Sequence, residues 1–197
     1  FGIAAFDAPT QTYYSIAMVE TGLAPPAAEE AAELVVLRLR TGERRTVPLG
    51  QHQIMSMHFD SLHNRLLAVT QPHPPDGAWF ATIDTTTGTV ALRVPLRAAA
   101  GAEPAVPVPG LSAFDKASQV YFALGADESC AKQRVFSVDT VGMVAGVGPM
   151  LPVASEPLAC DLISLECESG TGLLLAMAAC EEDQESNPAA LTELVRV

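Results

Sequence analysis

An all-β fold of propeller type, with about four blades of four antiparallel strands and the last blade incomplete, is what this sequence predicts. Three observations predict it: two short phrases recur in register about every 50 residues, strand-forming runs fall four to an interval, and turn residues sit where hairpins need them. The first phrase is Gly2-Ile3-Ala4-Ala5-Phe6-Asp7, then Ile54-Met55-Ser56-Met57-His58-Phe59-Asp60, then Gly110-Leu111-Ser112-Ala113-Phe114-Asp115. A degenerate copy reads Leu162-Ile163-Ser164-Leu165-Glu166. The second phrase is Leu39-Arg40-Thr41-Gly42, then Ile83-Asp84-Thr85-Thr86-Thr87-Gly88, then Val138-Asp139-Thr140-Val141-Gly142. Each copy of it leads to an apolar close with proline, at Pro48-Leu49, Pro95-Leu96 and Pro149 to Pro152. A β-sandwich competes for the same strands, but it gives no reason for two phrases to recur in register.

The units run over about 1–50, 51–97, 108–152 and 158–197, as one domain. In the first, strands are expected at 2–6, 12–19, 33–39 and 44–49. Tyr13, Tyr14, Ile16, Met18 and Val19 give the second of these the aromatic and branched character that suits a pleated, half-buried surface. The second unit offers 53–59, 65–70, 78–83 and 89–94. The third offers 110–114, 119–124, 133–138 and 143–148, and the fourth 160–167, 172–179 and 191–197. Hairpin turns are marked by Asp60 to Asn64, Thr41-Gly42, Thr87-Gly88 and Gly170-Thr171-Gly172. Pro26 to Leu34, acidic and rich in alanine, is the one segment that suits a short helix as well as a loop. Pro25-Pro26, Pro72 to Pro75 and Pro104 to Pro109 mark stiff loops. Four blades make the smallest closed propeller, and the fourth unit stops before its outer strand. An exposed strand edge normally needs a cover, so a partner chain or a larger ring is expected.

Composition narrows the function. Of 197 residues, 49% are apolar and 17% charged, enough to bury a core. A net charge of -12 excludes a nucleic-acid binder or an anionic-membrane binder, since both displace counterions with basic patches. The longest apolar run, Leu173 to Ala179, is too short for a transmembrane segment. The sequence opens at Phe1 without a basic-then-apolar segment, which predicts a processed or partial chain. An organelle lumen or the secretory route is favoured over the cytoplasm.

Candidate site residues are few. Asp7, Asp60 and Asp115 close the first strand of their units, and Asp84 and Asp139 recur in the second phrase. A ring of such carboxylates could hold a cation at one mouth of the channel. Recurrence once per blade favours turn-fixing instead, because aspartate bonds well to the amides of its own turn. All four histidines, His52, His58, His63 and His73, lie close in sequence, but at no metal-ligand spacing. The cysteines at 130, 160, 167 and 180 include no CxxC pair, so a zinc site is not expected. If the last hairpin turns about Gly170, opposed positions sum to 340 and Cys160 faces Cys180. That permits a cross-strand disulfide; free thiols acting as small apolar residues are the alternative. There is no Gly-x-Ser-x-Gly elbow, phosphate-binding loop or His-Glu-x-x-His helix, so no catalytic residue and no cofactor are expected. The acidic run Glu181 to Glu185 reads as a solvated loop.

Ile83-Asp84-Thr85-Thr86-Thr87-Gly88-Thr89-Val90, a strand ending in Asp, a Thr-Gly turn and an apolar strand, resembles the YVTN and WD-repeat-like propellers. The resemblance implies the architecture alone, since no Trp-Asp dipeptide, kelch glycine pair or sialidase Asp-box is present. These features lead to the expectation of a non-catalytic interaction module, a scaffold or accessory subunit whose partners are other protein chains of a larger assembly. One alternative is a fragment of a propeller hydrolase or lactonase with a divalent metal at the channel mouth. Another is an extracellular or lumenal binding domain.

Overall fold

The computed structural model describes residues 3–19, 31–71, 77–96, 106–126, 133–151, 160–171, 173–180 and 191–196. They build four antiparallel sheets, each a meander in chain order. The first sheet holds β1 (Ala4–Asp7), β2 (Thr12–Val19), β3 (Ala31–Arg38) and β4 (Glu43–Gly50). The second holds β5 (Gln53–Asp60), β6 (Arg65–Gln71), β7 (Ala78–Ile83) and β8 (Val90–Leu96). The third holds β9 (Val106–Asp115), β10 (Val120–Ala126), β11 (Gln133–Asp139) and β12 (Val144–Leu151). Three strands make the fourth among the described residues: β13 (Cys160–Glu168), β14 (Leu173–Cys180) and β15 (Leu191–Arg196). This is a propeller-like, all-β architecture. The chain divides into two compact units, 1–96 and 97–197, each carrying two sheets.

Within the first unit the two sheets pack face to face. Leu34, Val36, Val47 and Leu49 meet Ile54, Met57, Phe59 and Leu66 in one apolar cluster. Tyr14 stacks on Phe59 with ring centroids 5.4 Å apart. The period of two explains who takes part: along β3, Ala32, Leu34 and Val36 are buried while their neighbours are half-exposed. In the second unit Leu111, Ala113, Phe122, Leu124 and Val135 meet Leu165, Leu174 and Ala176. Removing the Leu34 side chain beyond Cβ is expected to cost about 2–5 kcal/mol, the range for a fully buried leucine. Urea unfolding of Leu34→Ala checks it.

Two expectations change. Residues 31–34 of the segment suited to a helix begin β3, and residues 26–30 lie outside the described residues. Alanine and glutamate favour a helix locally, but pairing with β2 on one side and β4 on the other overrides a weak propensity. Residues 106–109, read as stiff loop, open β9. Pro107 and Pro109 are tolerated because β9 is an edge strand, where a missing N–H leaves no ladder bond unmade. Pro48 in β4 and Pro95 in β8 are on edge strands too. The loops at Pro25-Pro26 and Pro72 to Pro75 lie outside the described residues.

Six hairpin turns, two in each of the first three sheets, are built alike. Four positions after Asp7, Asp60 and Asp115, and likewise after Arg38, Asp84 and Asp139, comes a residue in the left-handed region. After the first strands these are Gln11, Asn64 and Gln119, at φ 53°, 50° and 58°. After the third strands they are Gly42, Gly88 and Met143, at φ 71°, 75° and 54°. A turn that ends in a left-handed residue matches the twist of the strands it joins.

Candidate functional site

The recurring geometry of the turns decides what their aspartates can do. Asp7, Asp60 and Asp115 end β1, β5 and β9, and all three are buried. Thr10 donates its hydroxyl to Asp7 Oδ2. Asp60 Oδ1 accepts the amides of Leu62 and His63, and its Oδ2 takes His63 Nδ1 at 2.7 Å and Arg65 Nε at 3.0 Å. Asp115 Oδ1 accepts the Ala117 amide, and Ser118 Oγ donates to Oδ2 at 2.6 Å. Asp115 also reaches the next sheet, where Ser169 Oγ and the Gly170 amide both donate to it at 3.2 Å. Asp84 and Asp139 hold the other set of turns: Thr86 and Thr87 donate their amides to Asp84 Oδ1, and Val141 and Gly142 to Asp139 Oδ1.

The fourth member of the first set is Glu168, not Glu166. Glu168 pairs with Leu173 across its turn as Asp60 pairs with Arg65, Asp7 with Thr12 and Asp115 with Val120. Thr171 Oγ1 donates to Glu168 Oε2 at 2.9 Å, three residues on, the offset of Thr10, His63 and Ser118 in the other turns. A carboxylate followed at the third position by a side-chain donor fits Glu168 with Thr171 and equally Glu166 with Ser169, so only the strand register separates them. Matching Phe-Asp to Leu165-Glu166 by residue type alone misses it by two positions.

These bonds set the charge state. Burial by itself would raise the Asp60 pKa, but the bonds from His63 and Arg65 outweigh it and hold the carboxyl below its ordinary value. Burial likewise opposes, and Ser118 with the Ala117 and Gly170 amides overcomes, at Asp115. Asp84 is lowered by the Thr87 and Thr86 amides and Asp139 by those of Gly142 and Val141. Carboxylates held ionised are poor general acids. Their oxygens also face donors and, at Asp60, a guanidinium, so they do not fit a metal ion. Among the described residues no three of His, Cys, Asp or Glu lie close enough to share one. His58 lies in β5 and His52 just before it, both half-buried, His63 bonds Asp60, and His73 lies outside the described residues. Asp115→Asn is expected to keep the local turn and weaken the clasp to Ser169 and Gly170, lowering stability by about 1 kcal/mol. Hydrogen exchange at Gly170 checks it.

A cleft of about 540 Å³ opens on the second sheet, lined by Asn64, Arg65, Thr82, Thr85 to Thr87, Thr89 and Arg93. Adjacent strands place Thr82 and Arg93 on one face, where Arg93 Nε donates to Thr82 Oγ1 at 3.0 Å. Arg45 of the first sheet braces the rim by donating to the Thr85 carbonyl at 2.8 Å. The lining supplies hydroxyls, two guanidinium groups and the ionised Asp84. Hydroxyl and guanidinium groups of this kind offer hydrogen bonds to polyhydroxylated or anionic groups, and the lining holds no group poised to exchange a proton near neutrality. Ile83 to Thr87 and Thr89 belong to the recurring Asp-Thr-Gly phrase, but the rest of the lining comes from other strands and another turn, so the phrase alone does not announce a cleft.

The fold places the chain among propeller-type proteins. No family model matches it, and no curated protein is similar to it in sequence. Among solved structures it is similar to an oligogalacturonate lyase in complex with manganese, at 11% identity and a TM-score of 0.63, covering 100% of this chain and 52% of that one. It is similar to the Dos1 propeller at 10% identity and 0.51, covering 95% and 46%. It is similar also to an exo-β-1,3-galactanase from Phanerochaete chrysosporium at 9% identity and 0.52, covering 96% and 47%. The chain thus spans about half the length of the structures it matches. These neighbours correct the expectation of a non-catalytic module, since two of the three are enzymes. The physical reason is that a propeller can draw catalytic groups from separate blades, so the lack of a contiguous motif excludes nothing.

Among the described residues, no helix is long and apolar enough to cross a membrane.

Proposed function

We propose that this chain is part of a propeller enzyme that acts on saccharides, with the Thr82–Arg93 cleft as a sugar-contacting surface. The observation that carries the reading is the fit of the whole chain onto half of an oligogalacturonate lyase, supported by the galactanase match. The cleft suits it chemically. Threonine hydroxyls exchange hydrogen bonds with sugar hydroxyls, and Arg65 and Arg93 suit a sugar carboxylate. A divalent metal held by Asp7, Asp60 and Asp115 is not part of the proposal, because those carboxylates serve their turns.

The test uses the complete polypeptide that carries this sequence, with oligogalacturonate and β-1,3-galactan fragments as probes. Turnover of either supports the reading, and a protein that neither binds nor converts any of them overturns it. Arg93→Ala is expected to weaken binding of the acidic oligosaccharide about tenfold, the loss of roughly 1.4 kcal/mol, measured by calorimetric titration. An unchanged affinity would move the sugar contact elsewhere.

A further inference from the structure

We propose that Cys160 and Cys180 form a cross-strand disulfide that staples the open end of the β13–β14 hairpin. The argument is one of register and stands apart from the saccharide reading. Next to the turn, pairs run from Glu168↔Leu173 to Ser164↔Met177. A bulge at Ile163 then shifts the ladder, and beyond it the pairs are Leu162↔Ala178, Asp161↔Ala179 and Cys160↔Cys180. Without the bulge Cys180 would oppose Asp161, and the two cysteines would belong to opposite faces of the sheet. β5 carries the same bulge, at Met55, five residues before Asp60 as Ile163 is five before Glu168. The cysteines are therefore brought opposite each other by a feature that recurs in the fold.

Directly opposed residues of antiparallel strands have Cα atoms about 4.5 or 5.5 Å apart, and either spacing is within the range of about 4.4–6.8 Å that a disulfide spans. The third cysteine of the hairpin does not compete. Cys167 lies seven residues along β13 from Cys160, roughly 23 Å at the strand rise. Burial, with Asp115, Glu166 and Glu168 nearby, also raises its thiol pKa, which lowers the thiolate fraction that exchange needs.

The chemistry is a two-electron exchange with a disulfide donor such as oxidised glutathione. One cysteine thiolate attacks the donor and forms a mixed disulfide, releasing one reduced thiol. The second cysteine attacks that intermediate, the Cys160–Cys180 bond forms, and the second donor thiol leaves. Two protons leave the cysteines and two electrons pass to the donor.

The test equilibrates the purified chain with oxidised glutathione, alkylates the remaining thiols and digests it after Lys132, Arg134, Glu166 and Glu168, which puts the four cysteines on separate peptides. A linked pair containing Cys160 and Cys180, with Cys167 alkylated, is the expected result. Alkylation at all four, or a link through Cys167, would overturn the proposal. As a second measurement, oxidation should raise the thermal midpoint of the native chain and leave that of Cys160→Ser unmoved. An equal rise in both removes the staple.

Discussion

Gly88→Ala is expected to lower stability by about 2–5 kcal/mol. Two costs add. Gly88 has φ 75°, where a Cβ meets the backbone and costs roughly 1–2 kcal/mol. The new methyl also has nowhere to go: it would fall inside the contact radius of the Pro48 carbonyl oxygen and 2.8 Å from Val47 Cγ1. Those atoms belong to β4, so the turn of the second sheet is pressed against the outer strand of the first. Overpacking of this kind adds about 1–3 kcal/mol. Gly42 separates the two costs, for it has φ 71° with nothing within 4 Å of a Cβ. Gly42→Ala should therefore show the backbone cost alone. Trp79, the single tryptophan, lies in β7 of the same unit and reports its unfolding in urea. Equal losses in the two variants would refute the close approach of turn and strand.

That contact also shows what the sequence made legible. Gly88 is visible in the Thr-Gly phrase as a turn residue, and the strands around it follow from alternation and β-branched content. Its neighbour Pro48 is forty residues away, and no local pattern announces the meeting. The same holds elsewhere. Thr12–Val19 can be read as a strand from Tyr13, Tyr14 and Ile16, whereas Ala31 and Ala32 carry a helical preference that only pairing with β2 and β4 reverses. Glu168 hides because its strand lacks the Phe-Asp signature and because Glu166 with Ser169 offers the same spacing as Glu168 with Thr171. The cleft at Thr82 and Arg93 was illegible for a further reason. A net charge of -12 draws attention away from arginines, yet two of them meet at one hydroxyl-lined surface.

Asp60→Ala should cost about 3 kcal/mol, near the lower bound for breaking a buried ion pair. The carboxylate is 1% exposed and Arg65 is 23% exposed, so part of the guanidinium can recover water when its partner goes. The loss also orphans the amides of Leu62 and His63 in the turn. Asp60→Asn keeps an acceptor for those amides and should cost less, the difference reporting the charge. The sign of the pH dependence follows from the lowered Asp60 pKa. A carboxyl that ionises more readily folded than unfolded contributes its stability above the unfolded value, near 4, and loses it as pH falls through the folded value. The native chain should therefore hold a level urea midpoint from pH 7 to 5 as far as this group is concerned, then weaken below pH 4. Asp60→Asn should weaken less steeply there without becoming flat, because Asp84 of the same unit, like Asp115 of the other, is lowered as well. Trp79 fluorescence follows the first unit, which contains Asp60 and not Asp115, so its midpoint should show most of the difference. Identical acid slopes for the native chain and Asp60→Asn would mean that His63 and Arg65 do not hold this carboxylate ionised.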